Sequence, residues 1–200
     1  MLNLNLTEKQ FESDIEYSLL TYGGYEKGDP KAFDRVSALD IATLLSFVKD
    51  TQPKSWVKYE TIYGTSCEKS FIERFCKEVK SLGLLSVLRH GFKDRGITFR
   101  VVYWKPETSI NQTAKEQYER NILHCTRQLH YSPNNENSID IVLFINGIPV
   151  VSMELKNQFT GQTLIMRSAN INSTAREKRR FLSLKTVCWF TLRWICIMFL

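Results

Sequence analysis

Two β-rich runs, residues 139–145 and 148–155, flank Asn146-Gly147, and no other feature of the chain restricts its fold as strongly. Asn-Gly tolerates positive φ at both centre positions of a tight turn, which makes it the strongest short-range signal for a β-hairpin. Both runs are dominated by Ile, Val, Leu, Phe and Met. The charged exceptions are Asp140, early in the first run, and Glu154 and Lys156 at the end of the second. Positions two apart share a face of a strand, so Glu154 and Lys156 point the same way. Charged groups are seldom buried without partners, and this trio at the end of an apolar hairpin requires a cause. Carboxylate oxygens from Asp140 and Glu154 can hold Mg²⁺ together with a substrate phosphate and waters. Such a metal polarises a phosphoryl oxygen and acidifies a bound water, while Lys156 can position that water or offset charge in the transition state. An acid before a strand and a Glu-x-Lys at its end are also ordinary surface decorations, and the spacing alone does not choose between the two readings.

Geometry makes the metal reading testable. A plain two-residue turn at Asn146-Gly147 pairs positions whose numbers sum to 293, an odd register that puts Asp140 opposite Met153 and Glu154 on the other face. A shared site needs an even register. A three-residue loop, Ile145-Asn146-Gly147, with Gly147 in the left-handed region as a bulge, supplies one and sets Asp140 opposite Ser152.

Upstream, Thr7-Glu8-Lys9-Gln10 is a capping box that opens a helix carrying Phe11, Ile15 and Leu19 on one face, stopped by Gly23-Gly24. Residues 37–50 predict a second helix, ended by Thr51-Gln52-Pro53 because proline disfavours helix in its predecessor. Residues 67–82 predict a third, with Phe71, Phe75 and Val79 at helical spacing and Gly83 as its C-cap. Residues 84–88 and 97–103 then read as strands around a turn-rich 91–96. Residues 113–120 read as a short helix, 121–130 as a strand and 132–137 as a loop. Helices first and an antiparallel-edged sheet after predict an α/β or α+β domain.

Composition limits the remaining classes. The chain is 43% hydrophobic and 12% aromatic, enough for a packed core. The first twelve residues are polar and acidic and lack a signal segment, so a cytoplasmic location is the expectation. The five cysteines form no Cys-x-x-Cys pair and read as free thiols. The net charge of +6 suggests nucleic acid, but residues 1–163 hold 20 basic and 20 acidic groups. Residues 164–200 hold seven basic and one acidic, which is the whole excess. The basicity belongs to the tail and says little about how the main domain would meet DNA.

The block from Ser138 through Asp140, Asn146-Gly147 and Pro149 into Glu154-Leu155-Lys156-Asn157 resembles the nuclease core of type I restriction enzyme R subunits, a branch of the PD-(D/E)-x-K nucleases. Phe11-Glu12, Thr51-Gln52-Pro53 with Trp56, and the stretch from Asn121 to Gln128 extend the similarity over roughly residues 5–163. The resemblance implies a restriction-endonuclease-like α/β fold, a central mixed sheet flanked by helices, and Mg²⁺-dependent hydrolysis of DNA phosphodiesters. It implies Asp140 and Glu154 as metal ligands and Lys156 as the catalytic lysine. Glu12 matches the N-terminal helix glutamate that often joins the site in that family, and by itself reads equally as a solvated helix acid. Double-stranded DNA and the methylase and specificity subunits are the implied partners. The ATP-driven motor of the family needs a G-x-x-x-x-G-K-(S/T) loop, which this sequence lacks.

A Gln-Tyr helix motif that the family places soon after the Glu-x-Lys strand is also missing. Shifted by one reading frame from Leu164 on, the codons permit A-x-R-Q-Y-K-x-D-R in the place expected for it and V-H-F-A-V-D further along. A domain at residues 1–163 followed by an out-of-frame tail at 164–200, adding no element to it, is the expectation. A membrane span over residues 181–200 is the rival, against which Lys185 and Arg193 each count about 2.5–3.5 kcal/mol near mid-membrane. Three functions remain open: a nuclease module, an inactive relic of one, and a membrane-tethered DNA-binding module.

Overall fold

A computed structural model describes residues 8–107, 111–156 and 190–195. Helix α1 (Glu8–Tyr22) leads into a short strand β1 (Glu26–Lys27), then a small hairpin, β2 (Phe33–Asp34) and β3 (Leu39–Asp40). Four helices follow: α2 (Ile41–Thr51), α3 (Pro53–Tyr63), α4 (Cys67–Leu82) and α5 (Leu84–His90). A second hairpin, β4 (Phe92–Asp94) and β5 (Ile97–Phe99), precedes α6 (Gln112–Glu119). The chain then lays down β6 (Leu123–His130), β7 (Ser138–Ile145) and β8 (Ile148–Lys156), with β9 (Phe190–Ile195) after them. The sheet order is β1-β6-β7-β8-β9, with the two outer pairings parallel and the two inner ones antiparallel. The expected α/β architecture, a central mixed sheet with helices around it, is present.

Three apolar clusters surround the β7–β8 hairpin. Phe11, Ile15 and Leu19 of α1 pack on Cys125, Ile141, Leu143 and Leu155 on one side of the sheet. Phe33 and Ala38 join Leu129, Tyr131, Ile139, Val142 and Phe144 in a second cluster. The largest gathers α2 to α5 with Phe92, Phe99, Val101 and Val102, and takes in Ile148 from the start of β8. The helical part of the molecule thus meets the sheet at the turn end of the hairpin and leaves the other end, with Asp140 and Glu154, to the sheet and α1.

The turn end is locked by two residues. Asn146 and Gly147 adopt φ 51° and 78°, the left-handed pair that Asn-Gly was expected to supply. The buried Asn146 side chain donates to the Val101 carbonyl at 2.8 Å and to Asn121 Oδ1 at 2.9 Å, and accepts from the Ile122 N–H at 2.7 Å. Gly147 sits so close to α2 that a Cβ there would lie 2.2 Å from the Asp40 carbonyl oxygen.

Several elements differ from expectation. Residues 84–88 are helix, not strand: Leu84, Val87 and Leu88 are the buried positions of α5, an i, i+3, i+4 set between Gly83 and Gly91. A short apolar run does not distinguish a strand from a buried helical turn, and the expectation chose the wrong one. Only Ile97–Phe99 of the expected strand at 97–103 pairs with a neighbour. Beyond it, the Gln52 carboxamide takes both backbone groups of Arg100, and Asn121 takes both of Tyr103, standing where a strand partner would. Helix α2 starts at Ile41 instead of 37 because the Asp40 carboxylate accepts from the Thr43 N–H and caps it. Pro53 ends α2 as expected but also begins α3, a helix not anticipated, where its missing N–H costs nothing.

The tail also departs from expectation at one place. Phe190–Ile195 forms a parallel strand on β8, from Val151↔Phe190 to Lys156↔Ile195, where an out-of-frame tail was expected to add nothing. The pattern Phe190, Leu192, Trp194 against Thr191 and Arg193 alternates as a strand does. The rest of the tail, including most of the stretch considered as a membrane span, lies outside the described residues, as does Thr7 of the capping box. Among the described residues no helix is long and apolar enough to cross a membrane.

Candidate active site

The β7–β8 register decides whether Asp140 and Glu154 can meet. Next to the turn, Ile145↔Ile148 and Phe144↔Pro149 form the odd register of a two-residue turn. The register then shifts, and Leu143↔Val151, Val142↔Ser152 and Ile141↔Met153 are even. Val150 is the extra residue. The even register that a shared site requires is therefore reached, but by a bulge within β8, not by a three-residue loop. The partner changes accordingly: Ser152 faces Val142, and continuing the register by one pair sets Asp140 against Glu154. Pro149 gives the reason. Proline cannot donate to the ladder and is tolerated inside a sheet at a bulge, so the sequence carried a signal for the shift that the turn residues did not.

Beyond Ile141↔Met153 a side chain replaces the backbone ladder. Asp140 Oδ2 accepts the Leu155 N–H at 2.6 Å, which ties the carboxylate to the backbone immediately beyond Glu154. Asp140 Oδ1 accepts a long hydrogen bond, 3.4 Å, from Gln128 Nε2 on β6. Lys156 closes β8, two positions after Glu154; its side chain lies outside the described residues.

Glu12 comes to the same end of the sheet from α1. Only 6% exposed, it is held by two neighbouring residues of β6. Its Oε2 accepts from Arg127 Nε at 3.2 Å and Nη2 at 3.1 Å, and its Oε1 from Gln128 Nε2 at 2.7 Å. Arg127 also donates to Glu16 Oε2 at 3.0 Å. Burial works against the guanidinium charge, but Glu16 and Glu12 outweigh it and raise the Arg127 pKa further. Glu12 therefore lies one hydrogen-bonded residue from Asp140. Among the described residues no three His, Cys, Asp or Glu side chains are grouped as a metal cage. Arg127, Gln128 and Glu16 were not singled out from sequence. Their signal was the unbroken polar pair Arg127-Gln128 inside an otherwise half-buried strand.

None of the described cysteines is among these groups. Cys67, Cys76 and Cys125 are free thiols, and burial raises the pKa of each, that of Cys125 to about 11. Cys188 and Cys196 lie outside the described residues.

A family profile decides what the hairpin belongs to. The profile of the type I restriction enzyme R protein N terminus matches residues 66–191, a span that takes in α4 to β8, the Asp140/Glu154 register and the start of β9. The chain belongs to that family. Membership makes it a restriction-enzyme subunit region, part of a system that acts on DNA with other subunits. No curated protein and no solved structure matches the chain.

Proposed function

We propose that this R-protein N-terminal domain is a Mg²⁺-dependent DNA endonuclease module, with Asp140 and Glu154 as metal ligands and Lys156 as the catalytic lysine. The observation that supports the reading is the bulge at Val150, which gives the hairpin an even register as far as Ile141↔Met153, with Asp140 and Glu154 the next residues outward at the end away from the helical cluster. The donor chemistry fits. Two carboxylates suit Mg²⁺, which keeps most of its shell for waters and phosphate oxygens. Asp140 accepts one hydrogen bond on each oxygen, and a carboxylate has about four lone-pair directions, so both oxygens retain capacity toward a cation.

When bound, the metal supplies Lewis acidity toward the phosphoryl group and acidifies a coordinated water. The chain's own residues do the rest. Asp140, fixed through Leu155 N–H and Gln128, holds its oxygens without reorganising during the reaction. Glu154 takes the facing position on β8. Lys156, on the same face as Glu154, orients the attacking water or offsets charge building on the phosphate. Water oxygen adds to phosphorus, one ester P–O bond breaks, and the strand ends in a phosphomonoester and a hydroxyl. Glu12 contributes from α1 through the Arg127-Gln128 pair. The methylase and specificity subunits, and an ATP-driven motor outside these residues, are the proposed partners in delivering DNA, and the cytoplasm is the proposed location.

The test is mutational. In an R subunit that carries this domain and is assembled with its partners, Asp140→Ala, Glu154→Ala and Lys156→Ala are each expected to abolish double-strand cleavage. ATP hydrolysis should persist, since it belongs to a separate motor. Double-strand cleavage by any one variant at the parent rate overturns that residue's assignment.

A further inference from the structure

Strand β6 contains a feature that its sequence does not explain. Gln128 has φ 49°, in the left-handed region, in the middle of a strand. For a residue with a Cβ this conformation is strained. The β6–β7 ladder runs evenly from Leu123↔Ile145 to His130↔Ser138 but omits one pair, Gln128 with Asp140.

The deviation changes which way side chains point. In a regular strand Arg127 and Gln128 would face opposite sides of the sheet, yet both bond the same Glu12 carboxylate. Their neighbours record the same reversal. Cys125 and Leu129, four apart and so nominally on one face, belong to different apolar clusters. Ile139 and Ile141, two apart on β7, are divided in the same way. Both strands exchange faces at the Gln128–Asp140 position. The Gln128 carboxamide is fully engaged there: Nε2 donates to Glu12 Oε1 and Asp140 Oδ1, and Oε1 accepts from Ser138 Oγ at 2.9 Å. Strained backbone of this kind persists where the surrounding contacts over-determine it, and it concentrates at functional sites.

We propose that Gln128 is a positioning residue for the metal site: its left-handed backbone turns the carboxamide to bridge buried Glu12 and Asp140, and so holds Asp140 in place to take a divalent cation with Glu154. This rests on the proposed metal-dependent function and adds a supporting residue to it. Glu12 is anchored in turn by Arg127, so the chain Arg127–Glu12–Gln128–Asp140 runs from α1 to the cation position. Groups that orient a ligand are typically worth 10- to 100-fold in metal affinity.

Glycine separates the two roles of position 128, because it adopts positive φ without strain and carries no amide. Mn²⁺ binding to the full chain, measured by calorimetry without DNA, is the readout, alongside thermal melting. Gln128→Gly is expected to weaken Mn²⁺ about tenfold, with a melting temperature unchanged or higher. Gln128→Glu keeps the length and the strain, removes both donors, and is expected to weaken Mn²⁺ as well. Weakening of less than threefold in both variants, while Asp140→Asn abolishes binding, overturns the role of Gln128 and leaves the metal site standing. A drop of several degrees in the melting temperature of Gln128→Gly with Mn²⁺ affinity retained makes Gln128 a packing residue and also overturns it. Unaltered Mn²⁺ affinity in Asp140→Asn, or no binding by the parent chain, removes the metal reading and this inference together.

Discussion

Asn146 and Gly147 do more than reverse the chain. A solvated Asn-Gly turn tolerates many replacements, whereas here the Asn146 side chain is fully buried and serves Val101, Asn121 and Ile122 at once. Asn146→Ala removes those bonds, strands buried donors and acceptors, and leaves φ 51° to a residue that tolerates it less well than asparagine. A loss of about 3 kcal/mol is expected, against roughly 1–3 kcal/mol for an unmade buried hydrogen bond alone. Gly147→Ala is expected to cost at least about 2 kcal/mol, since the new methyl meets the Asp40 carbonyl as well as an unfavourable φ. Urea unfolding of both variants is the measurement; a cost below about 0.5 kcal/mol for either would contradict the locked turn. At this scale the sequence was only partly readable. The dipeptide announces the turn by its backbone preference, which is local, but not the burial, which depends on residues 24 to 107 positions away. The same division holds at the site. Asp140, Glu154 and Lys156 stand out as charges in apolar strands, whereas Gln128 depends on a φ value and a contact with Glu12 that no local pattern encodes.

Among the elements, β8 shows how one residue sets register. Val150 is the extra residue of the bulge, so a deletion there should straighten the strand and preserve every pair from Leu143↔Val151 outward. Deleting Ser152 moves Glu154 one position relative to Asp140, and a shift of one residue turns every later side chain to the other face. The expected result is a folded, less stable chain that still binds Mn²⁺ for the Val150 deletion, and loss of binding for the Ser152 deletion. Equal binding by both would show that the register does not define the site. Pro149 made the bulge legible in principle, by the same rule that made Pro53 a stop for α2. The helices repeat the point. Helix α4 matches its expected limits because sixteen residues carry a full amphipathic repeat from Cys67 to Val79. The seven residues of α5 do not, and their apolar run reads equally as a strand.

For the whole molecule, the open question is where the domain ends. Its sheet is closed on the β8 side by β9, whose partners are the residues that carry the proposed chemistry: Glu154↔Arg193 and Lys156↔Ile195. Without β9, β8 would present an unpaired row of N–H and C=O groups beside the site, and long exposed edges invite association with other chains. The alternative reading frame allows V-H-F-A-V-D over the codons of residues 189–195, also an alternating, β-prone string, so a strand at this place is compatible with either frame. The charge of residues 164–200 and the alternative frame point to a tail outside the domain, whereas the family profile runs on to residue 191. Hydrogen exchange resolves it. Amides of Thr191 to Ile195 are expected to be protected to the same order as those of Val151 to Leu155, because each strand supplies the other's ladder partners. Exchange at the rate of an unstructured peptide across 191–195, with β7 and β8 still protected, would show that the domain ends before this strand, as expected if residues 164–200 are out of frame.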